Sequence, residues 1–207
     1  IDVQRGGPST GLPTKTEQTD LNQALYGRNG ESPLAVVAPT SPTDCFDMAF
    51  EASRIAIEHM TPVILLSDAF IGNGSSAWRI PEASEYRDIK VPRVPEEKRE
   101  GWQPFMRRDE SLARYWAIPG EDKLPHRLGG LEKHPETGAI STNPAHHATM
   151  VDIRRKKIER IAADIPLQKV VCDTPGAETL LVGWGGTYGH LYTCLLYTSD
   201  AADDRIS

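Results

Sequence analysis

Two short apolar runs stand out from an otherwise mixed chain: Leu34-Ala35-Val36-Val37-Ala38, bounded by Pro33 and Pro39, and Pro62-Val63-Ile64-Leu65-Leu66. Runs of this length, closed by turn formers and rich in branched side chains, predict buried strands. Between them Phe46, Ala49, Phe50, Ser53, Ile57 and Met60 recur at helical spacing. Ser41-Pro42-Thr43-Asp44 precedes them with a capping hydroxyl, a proline for the first helical position and an acid for the first turn. Strand, helix and strand in so short a stretch make a βαβ unit, whose strands must run parallel. Another helix is predicted from about Pro144. Met150, Ile153, Lys157, Ile158 and Ile161 form its inward stripe, Ile165-Pro166 stops it, and the basic run Arg154-Arg155-Lys156-Lys157 reads as a solvated helix face.

Elsewhere the periodicity breaks down. Residues 5–14, Arg-Gly-Gly-Pro-Ser-Thr-Gly-Leu-Pro-Thr, favour neither helix nor strand and predict a loop. Thr14-Lys15-Thr16-Glu17 then has the spacing of a capping box, with Leu21, Ala24 and Leu25 on one helical face and Gly27 and Gly30 as the end. From Trp78 to about Pro144 the chain is rich in Pro, Gly and charge, with Trp102, Phe105, Tyr115 and Trp116 scattered through it. Aromatics without a period to bury them suggest an excursion that wraps a partner chain. Leu180 to Trp184 reads as a strand, and Gly185-Gly186 as a tight turn from it into a helix. The expected organisation is a first unit over 1–78, an irregular excursion over 79–144, a helix and linker over 145–175, and the start of a further domain over 176–193. The opening Ile1-Asp2-Val3-Gln4-Arg5 suggests a chain entered part-way. The string from Cys194 onward resembles translated read-through of a sequencing-library adapter, so residues 194–207 are expected to be foreign to the fold.

Composition narrows the function classes. With 39% apolar and 25% charged residues, and no apolar run near the roughly 20 residues a bilayer span requires, nothing in the chain suggests membrane insertion. A net charge of −6 argues against a general nucleic-acid or anionic-membrane binder. Cys45, Cys172 and Cys194 offer no paired spacing for a disulfide framework or a metal knuckle, and a reducing cytoplasm is the expected compartment.

The strongest chemical candidate is the loop at 5–14. A Gly-rich loop entering a capped helix presents backbone N–H groups and the positive end of a dipole, and Arg5 adds a planar fork suited to a carboxylate or phosphate. It has neither P-loop nor dinucleotide-fingerprint spacing, so from physics alone it is either an anion cradle or a structural turn. Gly183-Trp184-Gly185-Gly186-Thr187-Tyr188-Gly189 also lacks the dinucleotide order. Cys45 sits where a helix dipole could activate it, although a small packed cysteine is commoner. His146 and His147 face apart on a helix and read as solvated, and Ser67-Asp68 has no positioned base.

The string Arg5-Gly6-Gly7-Pro8-Ser9-Thr10-Gly11-Leu12-Pro13-Thr14, with Glu17-Gln18 and Asp20-Leu21 after it, closely resembles the α subunit of the 2-oxoacid:ferredoxin oxidoreductases, in particular the 2-oxoglutarate type. The resemblance continues through Tyr26-Gly27-Arg28-Asn29-Gly30-Glu31, Thr61 to Asp68, Trp116-Ala117-Ile118-Pro119-Gly120, His126-Arg127, Gly129-Gly130-Leu131-Glu132 and Val182-Gly183-Trp184-Gly185, and so covers almost all of residues 1–193. It implies an α/β fold, the later part of a parallel-sheet thiamine-diphosphate pyrimidine-binding domain followed by the start of a transketolase-C-terminal-like domain. It also implies oxidative decarboxylation of 2-oxoglutarate to succinyl-CoA, with coenzyme A as co-substrate and ferredoxin as electron acceptor.

In that family the α chain grips the aminopyrimidine ring, while a β subunit holds the diphosphate through Mg²⁺ and carries the iron–sulfur cluster. The resemblance places Arg5 on the 2-oxoacid carboxylate and Thr14 facing the substrate, with Ser9 and Thr10 as further substrate-binding candidates. The family's glutamate that acts on the aminopyrimidine, its Tyr-Pro-Ile-Thr-Pro-type segment and the often fused γ-type domain would lie upstream of Ile1, so no catalytic residue is expected here and no turnover by the chain alone. The alternative is a non-catalytic scaffold or anion-binding partner subunit.

Overall fold

The computed structural model describes residues 1–13, 15–171 and 175–203, the side chains of 198–203 excepted. Three parallel strands, β1 (Asp2–Gln4), β2 (Ala35–Val37) and β3 (Val63–Asp68), form a sheet in the order β1-β3-β2. Asp2 pairs with Leu66 and Gln4 with Asp68 on one side of β3, while Ala35 pairs with Val63 and Val37 with Leu65 on the other. The βαβ unit is present as expected. β1 was not legible in the sequence, because Asp2-Val3-Gln4 has the length of a single pleat and no pattern of its own.

Helices α1 (Asp20–Tyr26), α2 (Asp44–His59) and α3 (Ala69–Asn73) follow the three strands in turn. α1 begins later than the capping-box spacing predicts. Glu17 turns back to the loop instead of to the helix, and Gly27 supplies the C-cap, its N–H donating to the Gln23 carbonyl. Ser41 does cap α2, its Oγ accepting from the Asp44 N–H at 3.2 Å. The buried face of α2 differs from the expected stripe, however, since it carries Arg54, Ile55 and His59. Phe46 and Phe50 face the other way, into an aromatic cluster with Trp78 and Tyr86. An apolar residue on a helix meets whichever segment folds over it, and here residues 78–86 compete with the sheet. Cys45 is half-buried, and desolvation, then the neighbouring Asp44 charge, push its thiol up. That direction disfavours the thiolate, so the packed-cysteine reading fits this position better than an activated nucleophile.

Between α3 and α4 (Pro144–Ala163) the backbone forms only two 3₁₀ turns and isolated bridges such as Arg93 with Trp116 and Arg107 with Arg114. This segment nevertheless has its own core: Val94, Trp102 and Leu124 are buried together, with Met106, Tyr115 and Ala117 packed against them. Phe105 lies under the Arg107 and Arg114 guanidinium groups. Trp102, Tyr115 and Phe105 thus have packing partners within the segment itself, because irregular loops can stack side chains without any backbone period.

The same segment docks on the C-terminal end of α2. Trp116 Nε1 donates to the Ile57 carbonyl at 2.8 Å, Arg108 to the Glu58 carbonyl, and Lys157 Nζ of α4 to the Met60 carbonyl at 2.8 Å. Three donors thus satisfy carbonyls at a helix end where the dipole is negative. Lys157 is in this respect part of the interior, whereas its neighbours Arg155 and Lys156 pair with Asp152 and Glu159 on the solvated face.

After the linker, residues 180–183 form no strand, and Leu180, Leu181 and Val182 are exposed. Among the described residues no strand pairs with this run, so its apolar pattern is not enough to make a ladder. Gly185–Thr187 is a 3₁₀ turn that leads into α5 (Tyr188–Asp203). α5 passes through Cys194 without a break, so the helix runs from the residues expected to be natural into those expected to be foreign. Nothing from Leu191 onward in the helix is a breaker, and Leu191 and Leu195, one turn apart, are half-buried.

Candidate functional site at the carboxyl edge of the sheet

Parallel strands gather their following loops at one edge, where α/β proteins place their ligands. Here that edge carries the loop after β1, the start of α3 after β3, and the Trp184-Gly185-Gly186 turn. Asp68 ends β3, is 2% exposed, and accepts the Ile71 N–H at 2.9 Å as the N-cap of α3. Its other carboxylate oxygen faces Gly186, where a Cβ would lie 2.2 Å away. Gln4 is also buried; its Nε2 donates to the Ser67 carbonyl at 3.1 Å, and its Oε1 is left without a partner.

Arg5 follows Gln4 directly and is exposed, making no ion pair among the described residues. The loop beyond it folds on itself. Gly6 N–H donates to the Lys15 carbonyl at 2.7 Å, Leu12 N–H to the Gly6 carbonyl at 2.7 Å, and Gly11 N–H to the Pro8 carbonyl at 3.1 Å. Gly11 has φ +70°, and a Cβ there would meet the Gly6 carbonyl oxygen at 1.9 Å, so no other residue fits.

This geometry corrects the physical argument for an anion cradle. The Gly6, Gly7, Gly11 and Leu12 N–H groups are engaged within the loop and its flank, and α1 starts only at Asp20, with an acid in its first turn. The loop therefore does not run directly into the N-terminus of α1. What the loop does present is Arg5, together with exposed Ser9 and Thr10 at its tip. Thr14 lies outside the described residues.

Sequence reasoning missed Asp68, Gln4, Gln18 and the Gly186 contact. Gln18 Nε2 donates to the Trp184 carbonyl at 3.2 Å, tying the flank of the loop to the Gly-Gly turn. The available signal was the position of Asp68 two residues past the predicted strand that ends at Leu66. The histidines at α4 are bound up locally: His146 Nδ1 meets Ser141 Oγ at 2.7 Å, and His147 meets the Glu132 carboxylate at 2.5 Å. Among the described residues no group of three or more His, Cys, Asp or Glu side chains could hold a metal ion, and no helix is long and apolar enough to cross a membrane.

Residues 1–143 match the family model described as pyruvate flavodoxin/ferredoxin oxidoreductase, thiamine diphosphate-binding. The chain belongs to this family. It is 56% identical over 91% of its length to the 2-oxoglutarate oxidoreductase subunit KorA of Mycobacterium tuberculosis, of which it covers 28%. It is 33% identical over 88% of its length to the α subunit of 2-oxoacid:ferredoxin oxidoreductase 1 of Aeropyrum pernix, again covering 28%. Among solved structures it superposes with a TM-score of 0.84, at 30% identity and over 97% of its length, on 2-oxoglutarate:ferredoxin oxidoreductase from Magnetococcus marinus with 2-oxoglutarate, coenzyme A and succinyl-CoA bound, and covers 34% of that chain. The chain thus spans about a third or less of the length of these relatives. Within the family, the parallel sheet described above is the thiamine-diphosphate-binding architecture.

Proposed function

We propose that the chain is a portion of the α subunit of a 2-oxoglutarate:ferredoxin oxidoreductase, which converts 2-oxoglutarate to succinyl-CoA and carbon dioxide and passes two electrons to ferredoxin. The observation that carries this reading is Arg5, a guanidinium without a counter-charge among the described residues, on a self-braced loop at the carboxyl edge of the sheet. A planar fork on a braced loop suits a carboxylate, and 2-oxoglutarate carries two. Ser9 and Thr10, exposed at the tip of the same loop, offer hydroxyl donors, and Thr14 is assigned with them to the substrate.

Thiamine diphosphate, bound where the α and β subunits meet, supplies the nucleophilic carbon and the electron sink for decarboxylation. Mg²⁺ and the iron–sulfur cluster are assigned to the β subunit on the family resemblance, and no step is routed through them. This chain's own residues bind and orient: Arg5 holds a substrate carboxylate, while Asp68 and Gly186 fix the wall behind the loop. The reading implies a β subunit, ferredoxin and coenzyme A as partners, in the cytoplasm.

The test is the assembled α/β enzyme containing this chain, supplied with thiamine diphosphate and Mg²⁺. Reduction of ferredoxin that depends on both 2-oxoglutarate and coenzyme A is the expected result. Reduction with pyruvate but not with 2-oxoglutarate would overturn the substrate assignment.

A further inference from the structure

Four consecutive residues, 15–18, bond between them to three parts of the site. The Lys15 carbonyl accepts the Gly6 N–H at 2.7 Å, Thr16 Oγ1 accepts the Phe70 N–H at 3.2 Å, a Glu17 carboxylate oxygen accepts the Gly7 N–H at 3.2 Å, and Gln18 donates to the Trp184 carbonyl at 3.2 Å. Lys15 and Glu17 hold the loop, while Thr16 and Gln18 fasten the strap itself to α3 and to the Gly-Gly turn. Residues 15–18 therefore form a clamp between the Arg5 loop and the two other elements at the carboxyl edge.

We propose that Glu17 is the positioning residue of this clamp: by accepting the Gly7 N–H it holds the Arg5 loop in the shape that presents Arg5 to a 2-oxoacid carboxylate. The inference rests on the reading of Arg5 given above. Among the clamp bonds to the loop, that of Glu17 alone comes from a side chain, so it can be removed without touching the backbone.

The Gly7 amide is exposed, and water replaces a lost acceptor there at little cost in stability. The cost falls instead on orientation, since a loop that samples several shapes holds Arg5 in the binding geometry for only part of the time. The charge of Glu17 does not help, because a carboxylate beside a site for carboxylates repels its ligand. Its hydrogen-bonding oxygen is what matters. Glutamine keeps that oxygen and loses the charge, and alanine loses both.

Glu17→Ala, Glu17→Gln and Arg5→Lys in the α/β enzyme separate the possibilities. Glu17→Ala is expected to raise KM for 2-oxoglutarate five- to tenfold more than it lowers kcat, and Glu17→Gln to bring KM back to within about twofold of the parent. In the 207-residue chain, amide exchange at Gly6 and Leu12 should quicken in Glu17→Ala and stay at the parent rate in Glu17→Gln. If Arg5→Lys raises KM while Glu17→Ala does not, or if Glu17→Gln behaves like Glu17→Ala, the positioning role is overturned. If Arg5→Lys and Glu17→Ala both leave KM unchanged, it is the reading of the Arg5 loop as the substrate site that fails.

Discussion

Gly186 lies directly on the carboxylate of Asp68: a Cβ at Gly186 would be 2.2 Å from Oδ2 and 3.0 Å from the carboxyl carbon. Asp68 cannot move away, because its other oxygen caps α3 through the Ile71 N–H. The turn before α5 and the end of β3 are therefore in close contact at the edge that bears Arg5.

Gly186→Ala should accordingly destabilise the chain by about 1–3 kcal/mol, as expected for a methyl forced into a filled contact. Urea unfolding of parent and variant measures it. Gly189→Ala, where nothing lies within 4 Å of the added methyl, is the matched control and should show no loss of this kind.

Arg5→Lys in the α/β enzyme should lower kcat/KM for 2-oxoglutarate by the equivalent of about 1.5–3 kcal/mol, because an ammonium is a point charge and cannot reproduce a two-pronged pairing. Steady-state kinetics with 2-oxoglutarate checks this. An unchanged kcat/KM would remove Arg5 from the substrate site.

Arg54 is 4% exposed and pairs with Glu51 and with Glu58, the latter at 2.9 Å. The hydrogen bond from Arg54 holds the Glu51 carboxyl below its ordinary value. Glu58, though partly desolvated, is held low as well by the Lys90 N–H and by Arg54. Carboxyls depressed in the folded state contribute stability above their ordinary pKa of about 4.3 and lose it as pH falls through the folded value. Arg54→Met should cost roughly 1–3 kcal/mol at pH 7, less than for a fully buried pair because both glutamates retain some solvent. The gap between parent and variant should narrow on acidification, as followed by chemical unfolding from pH 7 to pH 3.

Lys157 behaves in the opposite sense. Burial, then the Arg114, Arg107 and Arg108 charges, bring its amine down to about 8. Between pH 8 and its ordinary pKa near 10.4 the unfolded chain binds more protons than the folded one, so this group makes stability rise with pH across that window. Lys157→Met should abolish the rise, while losing the bond to the Met60 carbonyl. Thermal midpoints of parent and variant at pH 7.5 and pH 10 give the comparison. Equal pH dependence in the two would mean that Lys157 is solvated.

The sequence by itself determined the elements whose information is local. β2, α2 and β3 follow from two branched apolar runs and a capped amphipathic stretch, and α4 follows from its proline start and spaced apolar residues, because strand and helix periods are set within a few residues. The ordered string from Arg5 to Thr14 likewise pointed to the family before any coordinates. Tertiary structure decided the partners. Glu17 has the spacing of a capping box, yet its carboxylate finds the Gly7 amide; Phe46 has the spacing of a core position, yet it meets Trp78. Trp102 has no period at all, yet it is buried with Val94 and Leu124. A side chain's spacing fixes the direction in which it leaves its own backbone, but the group it meets comes from elsewhere in the chain. Asp68 and Gly186, on separate elements far apart in sequence, become neighbours only when the strand and the turn converge on one edge of the sheet.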